Sequence, residues 1–326
     1  MNPLSTNAAP VLGVATLTDT NDSMNKPSLV NPPLSESAWQ HQKRYVTVLG
    51  RRMAYVEQGS GRPIVLLHGN PTSSFLWRNV LPHLEGLGRL IAPDLIGMGD
   101  SDKLETDEPD RYRFVSHARY LEAFLAHVGA DRDVTLVLHD WGGALGFDWA
   151  YRHQVAVRGM AYTETLVRPI SYADLAESFH PVLRAVRSAE GEHLVLQENM
   201  FIEKMLPGVT QKHLSEEEMT EYRRPFSQPG DGRLATLVWP RELPIDCDPA
   251  DVTERMTAYS QWLKKSTVPK LFINVDPGVF VTGSVRELCR SFPNQEEVTV
   301  AGLHFPQEDS PDALGMAVAR WLKKLR

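Results

Sequence analysis

A chain of 326 residues, 42% hydrophobic and 23% charged, carries enough apolar material for one large core with a sizeable insertion. Its formal net charge of −7 comes with no basic block or stripe, which speaks against nucleic acid or an anionic membrane as a partner. Two cysteines imply no disulfide framework and point to a reduced, cytoplasmic setting, and no apolar run reaches the ~20 residues of a membrane span.

Residues 1–40 are rich in Asn, Ser, Thr and Pro and predict a disordered or loosely attached tail. Its apolar patch, Ala9 to Leu17, is short, broken by Gly13 and preceded by no Lys or Arg, so it does not read as a secretory signal; Met24 is a candidate internal start. Arg44 to Leu49, a turn at Gly50-Arg51, and Arg52 to Glu57 predict an antiparallel hairpin. Ile64 to Leu67 is a continuous apolar run of the buried parallel type, ending in His68-Gly69-Asn70-Pro71, with a helix expected to start at Thr72 to Ser74. Leu90 to Ala92 repeats that strand pattern. Val115, Ala118, Leu121, Phe124, Leu125 and Val128 mark one face of a helix. Val134 to Leu138 reads as another buried strand, followed by a helix over Ala144 to Arg152 and a strand over Val157 to Thr163. From Leu166 to Asp251 the alternation gives way to polar helical segments with several prolines. It resumes with a strand over Lys270 to Val275, a helix near Ser284 to Cys289, a strand over Glu297 to Val300 and a last helix from Pro311 to Leu325. The pattern is a mostly parallel α/β sheet with a helical insertion.

The chemistry concentrates at Val137-Leu138-His139-Asp140-Trp141-Gly142-Gly143. An apolar strand, a sharp turn and a small-residue helix start form the context of a nucleophile elbow, with an aspartate where a serine usually stands. An aspartate there also makes an ordinary helix N-cap, but the strand before it and the glycines after it favour the elbow. The nucleophile's identity selects the bond. A serine displacing a leaving group from an sp³ carbon would leave an ether, which water does not readily cleave; a carboxylate leaves an ester, which water cleaves at its carbonyl carbon. Asp140 therefore points to alkyl transfer from a carbon–halogen or epoxide bond. Among 11 histidines, His304 stands out by position, after the last strand in Gly302-Leu303-His304-Phe305. Asp140 is ionised without help, its reference pKa being ~3.9, so the work of His304 is to deprotonate the water that attacks the ester. Two acids compete to orient His304: Glu164, after the strand Val157 to Thr163, and Asp276, at the end of the strand Lys270 to Val275. Spacing alone does not choose, and Asp276-Pro277-Gly278 also reads as a plain turn. A departing anion in a dry pocket needs N–H donors, and the Trp141 indole and Asn70 side-chain amide supply them. Their backbone N–H groups would form an oxyanion hole. His68 is expected to be structural.

Together, His68-Gly69-Asn70-Pro71-Thr72-Ser73-Ser74, Pro93-Asp94-Leu95-Ile96-Gly97-Met98-Gly99, His139-Asp140-Trp141-Gly142-Gly143, Tyr162-Thr163-Glu164 and Gly302-Leu303-His304 resemble the haloalkane dehalogenases from about residue 40 to the C-terminus. The resemblance implies an α/β-hydrolase fold: a mostly parallel eight-stranded sheet in a core of residues 41–165 and 252–326, with a helical cap over 166–251. It implies Glu164 rather than Asp276 as the acid, Asn70 and Trp141 as the halide pair, and a pocket lined by Trp239, Pro240, Val279, Phe280 and Leu303. It also implies a small halogenated hydrocarbon as substrate, a halide ion as product, and no metal or organic cofactor. Leu138 departs from the wider hydrolase pattern, which has glycine two residues before the nucleophile.

An epoxide hydrolase shares the Asp and His logic. It would need cap tyrosines to protonate the epoxide oxygen; Tyr172 and Tyr222 are available in the insertion, while Asn70 stands where those enzymes resemble a pattern with an aromatic residue. A coelenterazine-type luciferase resembles the same scaffold with the same three residues. A non-catalytic ligand-binding relative is a third reading, disfavoured by the intact set of chemical groups.

Overall fold

The strand pattern closes into a single eight-stranded sheet of order β1-β2-β4-β3-β5-β6-β7-β8. In chain order the strands are β1 (Lys43–Val48), β2 (Arg51–Gly59), β3 (Pro63–Leu67), β4 (Arg89–Pro93), β5 (Val134–His139), β6 (Val157–Thr165), β7 (Lys270–Pro277) and β8 (Gln295–Gly302). The pairs β1–β2 and β2–β4 are antiparallel and the rest are parallel. The computed structural model describes residues 39–40 and 42–325, so most of the expected tail and the candidate start at Met24 lie outside the described residues. Trp39, which was placed in that tail, is fully buried, its ring edge-on to Phe75 with centroids 6.1 Å apart. The packed core therefore reaches back at least to residue 39.

β3 and β5 are buried at every position, as expected of central parallel strands covered on both faces. The covering helices include α1 (Phe114–His127), α2 (Asp140–Arg152), α6 (Ala250–Leu263), α7 (Gly283–Arg290) and α8 (Pro311–Lys324). Between β6 and α6 the chain is largely helical, with α3 (His180–Val186) and α4 (Glu216–Arg223) joined through wide π turns, and α4 and α5 (Leu234–Arg241) through tight 3-10 turns. Ser215 starts α4 with a capping box: its hydroxyl accepts from the Glu218 N–H at 3.2 Å, while Glu218 Oε2 accepts from the Ser215 N–H at 3.0 Å.

Three local expectations shift. The hairpin turns at Leu49-Gly50 rather than Gly50-Arg51; both residues have positive φ (50° and 80°), as a two-residue turn matched to strand twist requires. The helix expected to start at Thr72 to Ser74 does start at Ser74 but is only a 3-10 turn over Ser74–Trp77, and the Ser74 N–H is given to Asp94 Oδ1 at 2.8 Å. The elbow helix begins at Asp140 itself rather than at Ala144.

Candidate active site

β5 ends at His139, and the next residue bends sharply: Asp140 has φ +50°, a left-handed conformation uncommon outside glycine. The turn holds because nothing crowds it. A Cβ on Gly142 would overlap the His68 carbonyl oxygen, and one on Gly69 would overlap Asp140 Oδ1. Bulky Leu138 fits because Gly146, two turns into α2, leaves the room its side chain occupies. The Asp140 carbonyl accepts from Thr165 Oγ1 at 2.7 Å. The carboxylate is buried, with Oδ1 accepting the Asn70 backbone N–H at 2.7 Å and Oδ2 lying 3.4 Å from His304 Nε2. The Trp141 backbone N–H also helps to lower the pKa of this carboxylate. Burial alone would raise its pKa, but the hydrogen bond and charge of His304 outweigh that and hold it below the usual carboxylate value.

His304 follows β8 and is buried between two carboxylates. Its Nδ1 lies 3.3 Å from Glu164 Oε2. Burial would lower the imidazole pKa, but hydrogen bonds to Asp140 and Glu164, with their charges, raise it to about 9. Glu164 is fully buried and also turns through positive φ (+38°). Its carboxylate accepts three backbone N–H groups, from Val279 (3.0 Å), Phe280 (2.8 Å) and Val281 (3.2 Å). Asp276, its rival in the sequence, is exposed at the end of β7. Geometry therefore brings Asp140, His304 and Glu164 together and leaves Asp276 out.

Asn70 and Trp141 both face one cavity of about 80 Å³ beside Asp140 and His304. The Asn70 amide nitrogen reaches the Thr236 carbonyl only at 3.4 Å, and its Oδ1 is buried with no hydrogen-bond partner. His68 holds the Asn70 loop: Nδ1 donates to the Gly69 carbonyl and Nε2 accepts the Leu95 N–H, each at 2.9 Å. Burial pushes its pKa down to about 4, so it stays neutral as a structural residue.

Of the expected pocket residues, Pro240, Val279 and Phe280 line the cavity. Trp239 does not: it is fully buried behind Trp141, stacked on that indole with centroids 4.7 Å apart and on His117 at 3.9 Å. Leu303 does not line it either; it is half-buried, its N–H donated to Asp309 Oδ2 at 2.8 Å. The remaining wall comes from residues the sequence reading missed, notably Phe179, Leu183, Phe201, Met205 and Val209 of the insertion and Phe305 after His304. The spacing of Phe201, Met205 and Val209 by four was a usable helical signal. Among the described residues no tyrosine lines the cavity. Tyr172 packs edge-on against His180, and the Tyr222 hydroxyl donates to buried Glu308.

The arrangement offers an ionised carboxylate, a flanked imidazole and indole and amide N–H groups around an otherwise apolar space. A family model described as the alpha/beta hydrolase fold matches residues 62–311. A haloalkane dehalogenase of Sphingobium indicum is 53% identical over 285 residues, covering 87% of this chain and 96% of that protein. One from Mycolicibacterium smegmatis is 49% identical, covering 87% and 91%. Among solved structures, the haloalkane dehalogenase DbeA from Bradyrhizobium elkani superposes with a TM-score of 0.82 at 39% identity, covering 87% of this chain and 98% of that one. DatA from Agrobacterium tumefaciens gives 0.82 at 36% identity, covering 87% and 97%.

Proposed function

Because this chain belongs to the haloalkane dehalogenases, within the α/β-hydrolase fold, and hydrolyses carbon–halogen bonds of small molecules with release of halide, we propose that it does so through a covalent ester on Asp140. The single observation that carries this reading is the split environment of the Asp140 carboxylate: Oδ1 held by the Asn70 N–H at 2.7 Å, Oδ2 turned to His304 at 3.4 Å.

In the first step Oδ2 attacks the carbon bearing halogen in line. The C–O bond forms as the C–halogen bond breaks, and the halide departs toward the Asn70 amide and the Trp141 indole. In the second step His304 Nε2 takes a proton from water, and the hydroxide attacks Cγ of the alkylated Asp140. Oδ1 carries the negative charge of the tetrahedral intermediate, stabilised by the Asn70 and Trp141 backbone N–H groups. Collapse releases the alcohol, so the sum is haloalkane plus water to alcohol, halide and a proton. Glu164 orients His304 and stabilises its imidazolium, while its own charge is held by the three N–H groups of residues 279–281. The residues 166–251 act as a cap that closes the cavity over this chemistry. A cytoplasmic setting belongs to the same reading; among the described residues no helix is long and apolar enough to cross a membrane.

Bromide release from 1-bromobutane and 1,2-dibromoethane tests the nucleophile: the wild type should release it and Asp140→Ala should not. His304→Ala should complete the first step and stall at the second, so mass spectrometry should show one alkyl adduct on Asp140. Full turnover by that variant with no adduct would remove His304 from the mechanism. The epoxide-opening reading has no comparable observation in its favour, since among the described residues the cavity wall holds no tyrosine to protonate an epoxide oxygen.

A further inference from the structure

His304 is gripped through its main chain from two sides. Its N–H donates to the carbonyl of Val209 in the insertion at 3.0 Å. Its carbonyl accepts a hydrogen bond from His139 Nε2 at 2.7 Å. His139 is the last residue of β5, directly before Asp140, and is fully buried. Because a carbonyl oxygen only accepts, the His139 proton sits on Nε2, and Nδ1 is left bare. That atom is indeed buried without a partner. The His139 ring lies 4.9 Å from the His304 ring and 5.4 Å from Phe305. Burial first, and the His304 charge second, push the His139 pKa down to about 3, so its ring remains uncharged.

We propose that His139 is a positioning residue for His304: a neutral N–H donor that sets the main chain of the base from the strand that carries the nucleophile. Neutrality matters as much as the bond. A cationic donor at this distance would oppose the imidazolium that forms when His304 takes the proton from water. One strand end thus fixes both partners of the second step. Asp140 extends directly from β5, and His304 is tied to the residue before it. The proposal rests on the reading of His304 as the base for ester hydrolysis.

The two half-reactions separate this role from general structural support. Asp140 attacks as a carboxylate held by the Asn70 N–H at 2.7 Å, so alkylation needs no proton transfer by His304, whereas hydrolysis does; a displacement of about 1 Å can slow such a step by about 10²-fold. The test is a rapid-quench single turnover with 1,2-dibromoethane, following bromide and the alkyl-Asp140 adduct by mass, in the wild type, His139→Leu, His139→Gln and His304→Ala. His139→Leu should release one bromide per site at the wild-type rate and then hydrolyse the adduct roughly 10- to 100-fold more slowly. His139→Gln, which keeps a neutral N–H donor, should recover most of that loss. Should the Leu variant fail to fold, His139→Asn replaces it, its amide being too short to reach the carbonyl. Adduct decay at the wild-type rate in the donor-less variant, or equal slowing of both steps, would overturn the proposal while His304→Ala still traps the ester. If His304→Ala traps no ester, the base assignment itself fails and the proposal with it.

Discussion

At Asp140 and His304, charge determines the order of events. The imidazole lies between two buried carboxylates and is raised to about 9, so it is protonated in the free protein at neutral pH. In the proposed mechanism, ester formation removes the charge of Asp140 and with it one of the two groups that hold the proton. His304 then becomes a usable base at the stage that needs one. Asp140→Asn imitates this neutral state, so the His304 titration midpoint followed by NMR should fall clearly below about 9; an unchanged midpoint would show that Asp140 does not hold the proton. The stability consequence has a definite sign. A folded-state pKa above the unfolded value of ~6.5 adds stability that is fully present below pH ~6.5 and is lost as pH rises through about 9. Relative to His304→Gln, the wild type should lose stability across that window in denaturant melts. A second residue-scale prediction concerns Gly69. A methyl group there would overlap Asp140 Oδ1, so Gly69→Ala should abolish bromide release while the circular dichroism spectrum remains native.

The elements explain why the proposed halide pair can stay in place. Trp141, the second residue of α2, stacks on Trp239 of α5, which stacks in turn on His117 of α1. His117 is buried with neither ring nitrogen partnered, and burial holds it neutral, so it serves this ladder as a flat ring rather than as a charge. Trp239→Ala should cost about 3–5 kcal/mol, since it leaves a cavity behind Trp141. It should also weaken bromide inhibition of turnover, because Trp141 loses the ring it rests on. Urea unfolding and inhibition by added bromide check the two effects separately. The elbow follows the same logic: Leu138 is tolerated because Gly146 opposes it, so Gly146→Ala should overpack that contact at a cost of about 1–3 kcal/mol, read as a lowered denaturation midpoint.

Across the whole molecule, the His304 loop is tied to the insertion by buried charge. Arg78 donates to both oxygens of Glu308, at 2.5 and 2.7 Å, and reaches Glu218 of α4 at 2.6 Å; Tyr222 of α4 also donates to Glu308. Asp309 Oδ1 accepts the N–H groups of Gln211 and Lys212. Glu308→Leu leaves a buried guanidinium half-paired and should cost about 3–5 kcal/mol, whereas Arg78→Met with Glu308→Leu should cost much less than the two single changes added together; urea melts of the set decide it. The same scale separates what was legible in the chain from what was not. The sheet class, the elbow at Asp140 and the prominence of His304 were readable from the sequence, because each is written in contiguous residues: apolar runs, a strand–turn–helix junction, a histidine after the last strand. Glu164 and Asp276 could not be ranked by pattern, because the acid's place depends on backbone N–H groups 115 to 117 positions away. Trp239, Leu303 and the Phe201–Met205–Val209 wall were likewise decided by packing between the insertion and the sheet. Local sequence sets strand, turn and nucleophile through short-range sterics and periodicity. Which acid faces the histidine, and which rings line or back the cavity, depends on long-range contacts that exist only once the chain has folded.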